Sequence, residues 1–145
     1  MKRLSTPAAL ICLAFAGTSL ALAADWELAS FSKDGTIWYV DRSSIRDVKE
    51  GFPATTVKKA WIKADYSAVK TQLAREAKIL AFFKCDDELA KTTVWIMYKA
   101  DGTVLRDISP SFPSYTPVIP ETNFRAIFDR VCYPESEYID NESIM

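Results

Sequence analysis

The stretch FRAIFDRVCYPESEY, from Phe124 to Tyr138, decides how this chain folds. Its apolar residues recur at positions i, i+3, i+4 and i+7, which predicts one apolar face of an α-helix. Thr122 is the expected N-cap, and Pro134 ends the helix just after Cys132. A helix of about three turns is marginally stable alone in water, so it has to bury this face against another element.

Cysteine usage explains why the helix ends on Cys132. Of the three cysteines, Cys12 lies in the apolar N-terminal stretch, which leaves Cys85 and Cys132 in the folded domain. Two thiols in an exported domain usually pair, and the alternative is two unpaired buried thiols. A bridge between them would stabilise the domain by about 4 kcal/mol on the loop-entropy model. We therefore predict that a disulfide fixes the helix to the strand that ends at Cys85.

The first 23 residues predict a secretory signal peptide. A basic start is followed by an apolar run from Ala8 to Ala23 that closes on the small-x-small sequence Ala-Leu-Ala. Cleavage after Ala23 would leave residues 24–133 as the domain and residues 134–145 as an acidic tail, which we expect to be disordered. The apolar run is shorter than the roughly 20 residues that span a bilayer, and we expect no transmembrane segment in the mature chain.

Cys12 raises the alternative of a lipid-anchored N-terminus. Ile11 precedes it, whereas a lipidated cysteine follows a small residue, and cleavage there would leave almost no apolar core to the signal. We predict that the chain is exported without a lipid anchor at Cys12. The periplasm and the cell surface or exterior both remain open as its location.

Composition excludes several classes of function. Histidine is absent, which removes His-based catalysis and imidazole metal sites. Without Lys2 and Arg3 the 18 basic residues become 16 against 19 acidic ones, a net charge of −3 that argues against nucleic-acid binding. Asp86 and Asp87 are adjacent, so in a strand they would point to opposite faces and could not act on one substrate. We expect no enzyme activity, no cofactor and no metal.

The rest of the chain predicts strands joined by turns. A hairpin at Lys33-Asp34-Gly35 joins strands 26–32 and 36–41, and another at Asp101-Gly102 joins strands 92–98 and 103–108. Two further strands are expected at 55–66 and at 77–85, the second of them short and apolar on both faces. The fold class is α+β: an antiparallel β-sheet of about five or six strands with a C-terminal α-helix pinned to it by the disulfide.

Three connections are less regular. Residues 42–53 are polar and predict a loop. Residues 67–75 fit a loop or a single helical turn, although a longer helix is the alternative. The prolines between 110 and 120 predict an extended segment that crosses the surface.

Strand parity separates a helix-facing side of the sheet from a second side. Ile79, Ala81 and Phe83 share parity with Cys85, so this side should lie under the helix. On the strand at 55–66, Lys59, Trp61 and Lys63 share a face. This strip is a candidate protein-binding site, or else a solvated face whose lysine stems cover a tryptophan.

The four tryptophans make both sides of the sheet partly apolar. Either loops cover the second side, or it contacts a partner or a second copy of the chain. Self-association, with a homodimer as the product, is the interpretation that we favour slightly.

The sequence resembles the bacterial surface-adhesin protein E family. The resemblance rests on WYVDRSSI, on WIMYKADGTVL, on the strand that ends in a cysteine and on IPETNFRAIFDRVC, and it covers Trp26 to Cys132. The positions that match are Tyr39, Asp41, Ser44, Ile45, Cys85, Tyr98, Gly102, Pro120, Thr122, Val131 and Cys132.

The resemblance implies an antiparallel sheet with a disulfide-tethered helix and a non-enzymatic role. It also implies binding of host extracellular-matrix or plasma proteins such as vitronectin and laminin, and pairing as a dimer. The chain departs from the family's named surface lipoprotein because it lacks a usable lipidation cysteine. The alternative is therefore a periplasmic structural or assembly module that associates with itself or with another envelope protein.

Overall fold

The computed structural model describes residues 23–134, which form one antiparallel sheet and one helix. The strands are β1 (Trp26–Phe31), β2 (Ile37–Asp41), β3 (Arg46–Glu50), β4 (Thr55–Asp65), β5 (Glu76–Lys84), β6 (Leu89–Tyr98), β7 (Val104–Asp107) and β8 (Thr116–Pro117). A 3-10 turn occupies Arg42–Ser44, and α1 runs over Asn123–Cys132. The expected signal peptide and acidic tail lie outside the described residues.

The strand order is β1-β2-β4-β5-β6-β7, with β3 and β8 paired to the side of this path. One edge of the long strand β4 serves two partners, since β3 pairs with residues 55–59 and β2 with residues 62–65. The 3-10 turn lies between the two partners. There the Trp61 backbone N–H donates to the Ser44 side chain at 2.8 Å, which satisfies a strand amide at the change of partner.

The kind of fold is confirmed, but the strand count was too low. Residues 42–53 were predicted as a loop, yet they contain the 3-10 turn and β3. The sequence RDVKE of β3 lacks apolar alternation because this strand lies at an edge, where backbone pairing with β4 rather than burial holds it. The proline-rich segment likewise contributes the two residues of β8, paired with β6.

Other local predictions agree with the structure more closely. Both hairpins form, and Gly102 at the tip of the second adopts a φ of 82°, a conformation that side chains disfavour. Residues 67–75 form turns without a helix, which agrees with the favoured interpretation. Strand β6 begins at Leu89, earlier than expected.

The main hydrophobic core lies between α1 and one face of the sheet. Ile127, Phe128 and Val131 of the helix are fully buried against Phe83, whose ring lies 6.0 Å from that of Phe128. Thr122 caps the helix by accepting from the Arg125 backbone N–H at 3.1 Å. The helix therefore begins where its cap predicts and buries its apolar face as the spacing predicts.

The predicted disulfide is present between Cys85 and Cys132. It joins the residue that follows β5 to the last residue of α1. The two Cα atoms are 5.6 Å apart, and the sequence separation of the cysteines is 47. The covalent link therefore fixes the end of the helix on the sheet face that strand parity predicted.

Candidate functional site: the open face of the sheet

The sheet has a covered face under α1 and an open face on its other side. Along β5 the side chains alternate between fully buried residues, among them Phe83, and half-buried residues, among them Phe82. The same alternation runs along β4 from Ala60 onward. No described helix lies over the half-buried side chains, so this face is the one available to a partner.

Strand register arranges the open face in rows that run across the strands. Directly paired residues of antiparallel strands point to the same face. The first lysine row contains Arg46, Lys59, Phe82 and Lys91. The apolar row contains Trp61, Leu80 and Val94. The second lysine row contains Tyr39, Lys63, Lys78 and Ile96.

The two lysine rows lie on either side of the apolar row. Lys63 lies four positions after Lys59 along β4, which at about 3.3 Å per residue places the rows about 13 Å apart. The predicted strip of Lys59, Trp61 and Lys63 is therefore one column of a larger pattern. The structure brings all three residues to the open face.

Aromatic rings hold the lysines of the second row. The Lys63 ammonium lies 4.4 Å from the centre of the Tyr39 ring and 4.9 Å from that of Trp26. Lys78 lies 5.3 Å from the Tyr98 ring. Within residues 23–134, Lys59 and Lys63 form no salt bridge, so their positive charges are not neutralised by a contacting carboxylate. Cation–π contacts therefore orient the Lys63 ammonium and leave its charge available to a ligand, whereas Lys78 also pairs with Glu76 at 3.5 Å.

A corner cluster of Glu50, Lys91, Tyr115 and Lys84 closes one end of the open face. Glu50 accepts from Lys91 at 2.8 Å and from the Tyr115 hydroxyl at 2.5 Å. Burial alone would raise the pKa of Glu50, but these two hydrogen bonds and the nearby lysines lower it below its ordinary value. Burial, together with the bond to Glu50, raises the pKa of Tyr115 far above its ordinary value. The cluster joins β3, β6 and the segment before β8.

The open face is positively charged over β3 to β6, although the exported chain is predicted to be negative, and Asp107 of β7, which pairs with Ile96, adds one carboxylate at its edge. Over strands β3 to β6 it carries six cations against three carboxylates, a balance of +3. The cations are Arg46, Lys59, Lys63, Lys78, Lys84 and Lys91, and the carboxylates are Glu50, Asp65 and Glu76. This segregation of charge favours an acidic ligand.

Sequence reasoning missed the members of the pattern on β5 and β6. The stretch 77–85 was interpreted as apolar on both faces, but Lys78 and Lys84 lie on its open side with Leu80 and Phe82 between them. Parity alone would have shown this alternation. The place of Lys91 depends on an irregularity in the β5–β6 pairing between Leu80 and Ala81, for which we find no sequence signal.

A cleft of about 440 Å³ lies elsewhere, between α1 and β1. Its charged residues pair with one another, since Glu27 binds Arg42 at 2.8 Å and also Arg130, while Arg125 binds Asp129 at 3.0 Å. Of these pairs, the one between Glu27 and Arg130 fastens the helix to the edge strand. In the described part of the chain no three acidic or sulfur-bearing residues group as metal ligands, and no helix has the length and hydropathy of a membrane span.

Comparison with known proteins shows the family of this chain. The family model of surface-adhesin protein E matches residues 26–133. The chain belongs to the surface-adhesin protein E family. Among solved structures, crystal form II of Haemophilus influenzae protein E is similar, with 12% sequence identity, a TM-score of 0.45, and coverage of 66% of this chain and 79% of that chain. No curated protein matches.

Membership of this family explains several residues of the motif WYVDRSSI structurally. Asp41 accepts at 3.0 Å from the backbone N–H groups of both Asp25 and Ser43, and so anchors the N-terminus of the domain to the 3-10 turn. Ser44 supports the backbone of Trp61 from the same turn. These residues therefore support the backbone from which the open face is built. An adhesin family indicates an exported or surface protein with an adhesin-like, non-enzymatic role.

Proposed function

We propose that this chain is an exported, non-catalytic binding domain that presents the open face to a protein ligand. The observation that carries the proposal is that one side of the sheet is buried under a disulfide-fixed helix while the other presents two lysine rows and an apolar row. The binding residues that we assign are Lys59, Trp61 and Lys63. Host matrix or plasma proteins are the ligand class that the family resemblance favours.

Binding of immobilised vitronectin and laminin tests the proposal. The chain from Ala24 onward should bind saturably, and affinity should fall as salt rises because the face acts through charge. Lys59→Glu with Lys63→Glu should weaken binding at least about tenfold, which is about 1.4 kcal/mol. Lys33→Glu with Lys70→Glu makes the same change of charge on exposed turns and should leave binding within about twofold. Equal losses in both pairs would contradict a site on the open face.

The location of the protein requires a separate test, on cells of the organism that produces it. We propose removal of a signal peptide after Ala23, no lipid anchor at Cys12, and a folded domain over residues 24–133. Digestion by protease on intact cells would place the domain outside, where adhesion operates. Protection until lysis would place it in the periplasm and remove the host-binding role.

Self-association is the second candidate function, and the apolar row favours it. Trp61, Leu80 and Val94 are half-buried in the single chain, and a second copy could complete their burial. Sedimentation of the exported chain over a range of concentrations distinguishes the candidates. Dimerisation without affinity for any host protein would favour a structural or assembly module of the envelope.

A further inference from the structure

We infer that the open face takes an acidic amphipathic helix that lies across the strands of the sheet. The apolar side of this helix would cover Trp61, Leu80 and Val94, and its carboxylates would lie over both lysine rows. The inference rests on the proposed function, because it names the chemistry and shape of the ligand segment for the same face. The charge pattern of the open face, the distance between its lysine rows and the length of the first row identify this ligand segment.

The charge pattern requires carboxylates on two flanks of one apolar stripe. Lys59 and Lys91 lie on one side of Trp61 and Leu80, and Lys63 and Lys78 lie on the other side. Within residues 23–134, Lys91 pairs with Glu50 and Lys78 with Glu76, whereas Lys59 and Lys63, one on each side, form no salt bridge. A ligand with acids on one side alone would therefore leave one of these two charges without a partner. Apolar contact in the middle excludes water and strengthens the charge pairs at both margins.

The width of the pattern fits a helix. The lysine rows are about 13 Å apart, and a helix with its side chains is about 10–12 Å across. Acids on both flanks of such a helix would therefore meet lysines that reach upward from the two rows. An extended segment that follows the apolar row turns only a single line of side chains toward the sheet. It would therefore contact one row of the sheet and could not contact both lysine rows.

An extended segment lying along β4 is the competing geometry. Its alternate side chains could match Lys59, Trp61 and Lys63 in turn, as acid, apolar and acid. The cations, however, extend over four strands, with Arg46 on β3 and Lys91 on β6 at the ends of the first row. Lys91 is already paired with Glu50 at 2.8 Å, but a segment along β4 would leave Arg46 without a carboxylate, which favours an occupant that crosses the strands.

The length of the first lysine row sets the length of the helix. Arg46 and Lys91 are three strand spacings apart, about 14 Å at about 4.8 Å for each spacing. At 1.5 Å per residue this is about ten residues, or about three helical turns. So short a helix is marginal alone in water, so the segment should gain helicity when it binds.

Three synthetic peptides of equal composition and about 14 residues test the inference against the exported chain from Ala24 to Met145. In the first, leucines form a helical stripe with glutamates on both flanks; in the second, leucine and glutamate alternate; the third is scrambled. We expect the first peptide to bind at least about tenfold more tightly than the other two and to gain helical circular dichroism on binding. Because their composition is equal, the three peptides carry the same net charge.

Variants of each lysine row test whether the helix contacts both. Lys59→Glu should weaken binding of the helical peptide about tenfold, and Lys63→Glu with Lys78→Glu at least as much. Lys33→Glu with Lys70→Glu is the control and should change affinity by less than about twofold. Loss of binding from one row alone would overturn the two-flank arrangement.

The remaining outcomes separate this inference from the proposed function. Equal affinity for all three peptides, or tightest binding of the alternating peptide, would overturn the helix. If the helical peptide bound only after residues 135–145 were deleted, the acidic tail of the same chain would be the occupant and a separate partner would be excluded. Failure of the helical peptide with retained, face-dependent vitronectin binding would overturn this inference alone. If neither the helical peptide nor vitronectin bound, both this inference and the proposed function would be overturned.

Discussion

Phe83 and Phe82 are neighbours on β5, but they belong to opposite faces of the sheet. Phe83 is fully buried and contacts Phe124 and Phe128 of the helix, with ring centres 5.9 Å and 6.0 Å away. Phe82 is half-buried beneath the Lys91 ammonium, 5.1 Å from its ring centre. The same residue type therefore serves stability on one face and is available for recognition on the other.

The largest effect on stability should come from replacing each of the two phenylalanines with alanine, in separate variants. Phe83→Ala should lower the free energy of unfolding by about 3–5 kcal/mol, because it leaves a cavity beneath the helix. Phe82→Ala should lower it by about 1–2 kcal/mol, since its ring is partly in water already. Urea denaturation of both variants measures the difference, and equal losses would show that the open face is part of the core.

Loss of the disulfide should act on the covered face alone. Cys85→Ala with Cys132→Ala should lower the free energy of unfolding by about 2–4 kcal/mol, because the bridge closes a loop of 47 positions in the unfolded chain. Ligand affinity, measured well below the unfolding transition, should change by less than about twofold. A large loss of affinity in the folded variant would mean that the helix also shapes the open face.

Removal of the Glu50 charge should weaken the corner cluster in a pH-dependent way. Glu50→Gln should cost about 1.5 kcal/mol at neutral pH, where the carboxylate accepts from Lys91 and Tyr115. Because the pKa of Glu50 is lowered in the folded state, this contribution is present above its ordinary pKa and lost as the pH falls through the folded value.

Thermal unfolding from pH 7 down to about pH 3 measures this dependence. The difference between Glu50→Gln and the unchanged chain should shrink as the pH falls. A constant difference would indicate a packing effect rather than loss of a charged hydrogen bond. Asp47→Asn, at a more exposed ion pair with Lys58, is the matched control and should cost less than about 1 kcal/mol.

The smallest effect on stability should come from Lys63, whose charge we assign to ligand binding. Lys63→Gln should lower the free energy of unfolding by about 0.5–1 kcal/mol through loss of its contacts with the Trp26 and Tyr39 rings. Lys70→Gln on an exposed turn should change it by less than about 0.5 kcal/mol. If Lys63→Gln destabilised as strongly as Phe82→Ala, its ring contacts would be structural rather than a support for recognition.

Much of the covered face was predictable from sequence because its signals are local. The spacing of apolar residues predicted α1, Thr122 predicted its start, and the parity of β5 with Cys85 predicted which face it covers. Strand β3 was not predictable in this way, since Val48 is its only apolar residue and the strand is held by pairing with β4 and by the bonds of Glu50. Lys59, Trp61 and Lys63 could be placed on one face, but which residues of β3, β5 and β6 lie beside them depends on strand register and could not be predicted.

The sequence by itself determined the helix, the disulfide and the alternation of β4 and β5, because each depends on residues close together in the chain or on a pair of cysteines. The tertiary structure alone decided that β4 serves two partners on one edge and that lysines from different strands align in two rows. Strand order and register join residues that are distant in sequence, and one residue of slip would turn each side chain to the other face. The arrangement of the open face therefore depends on how the strands pair, although the residues themselves are visible in the sequence.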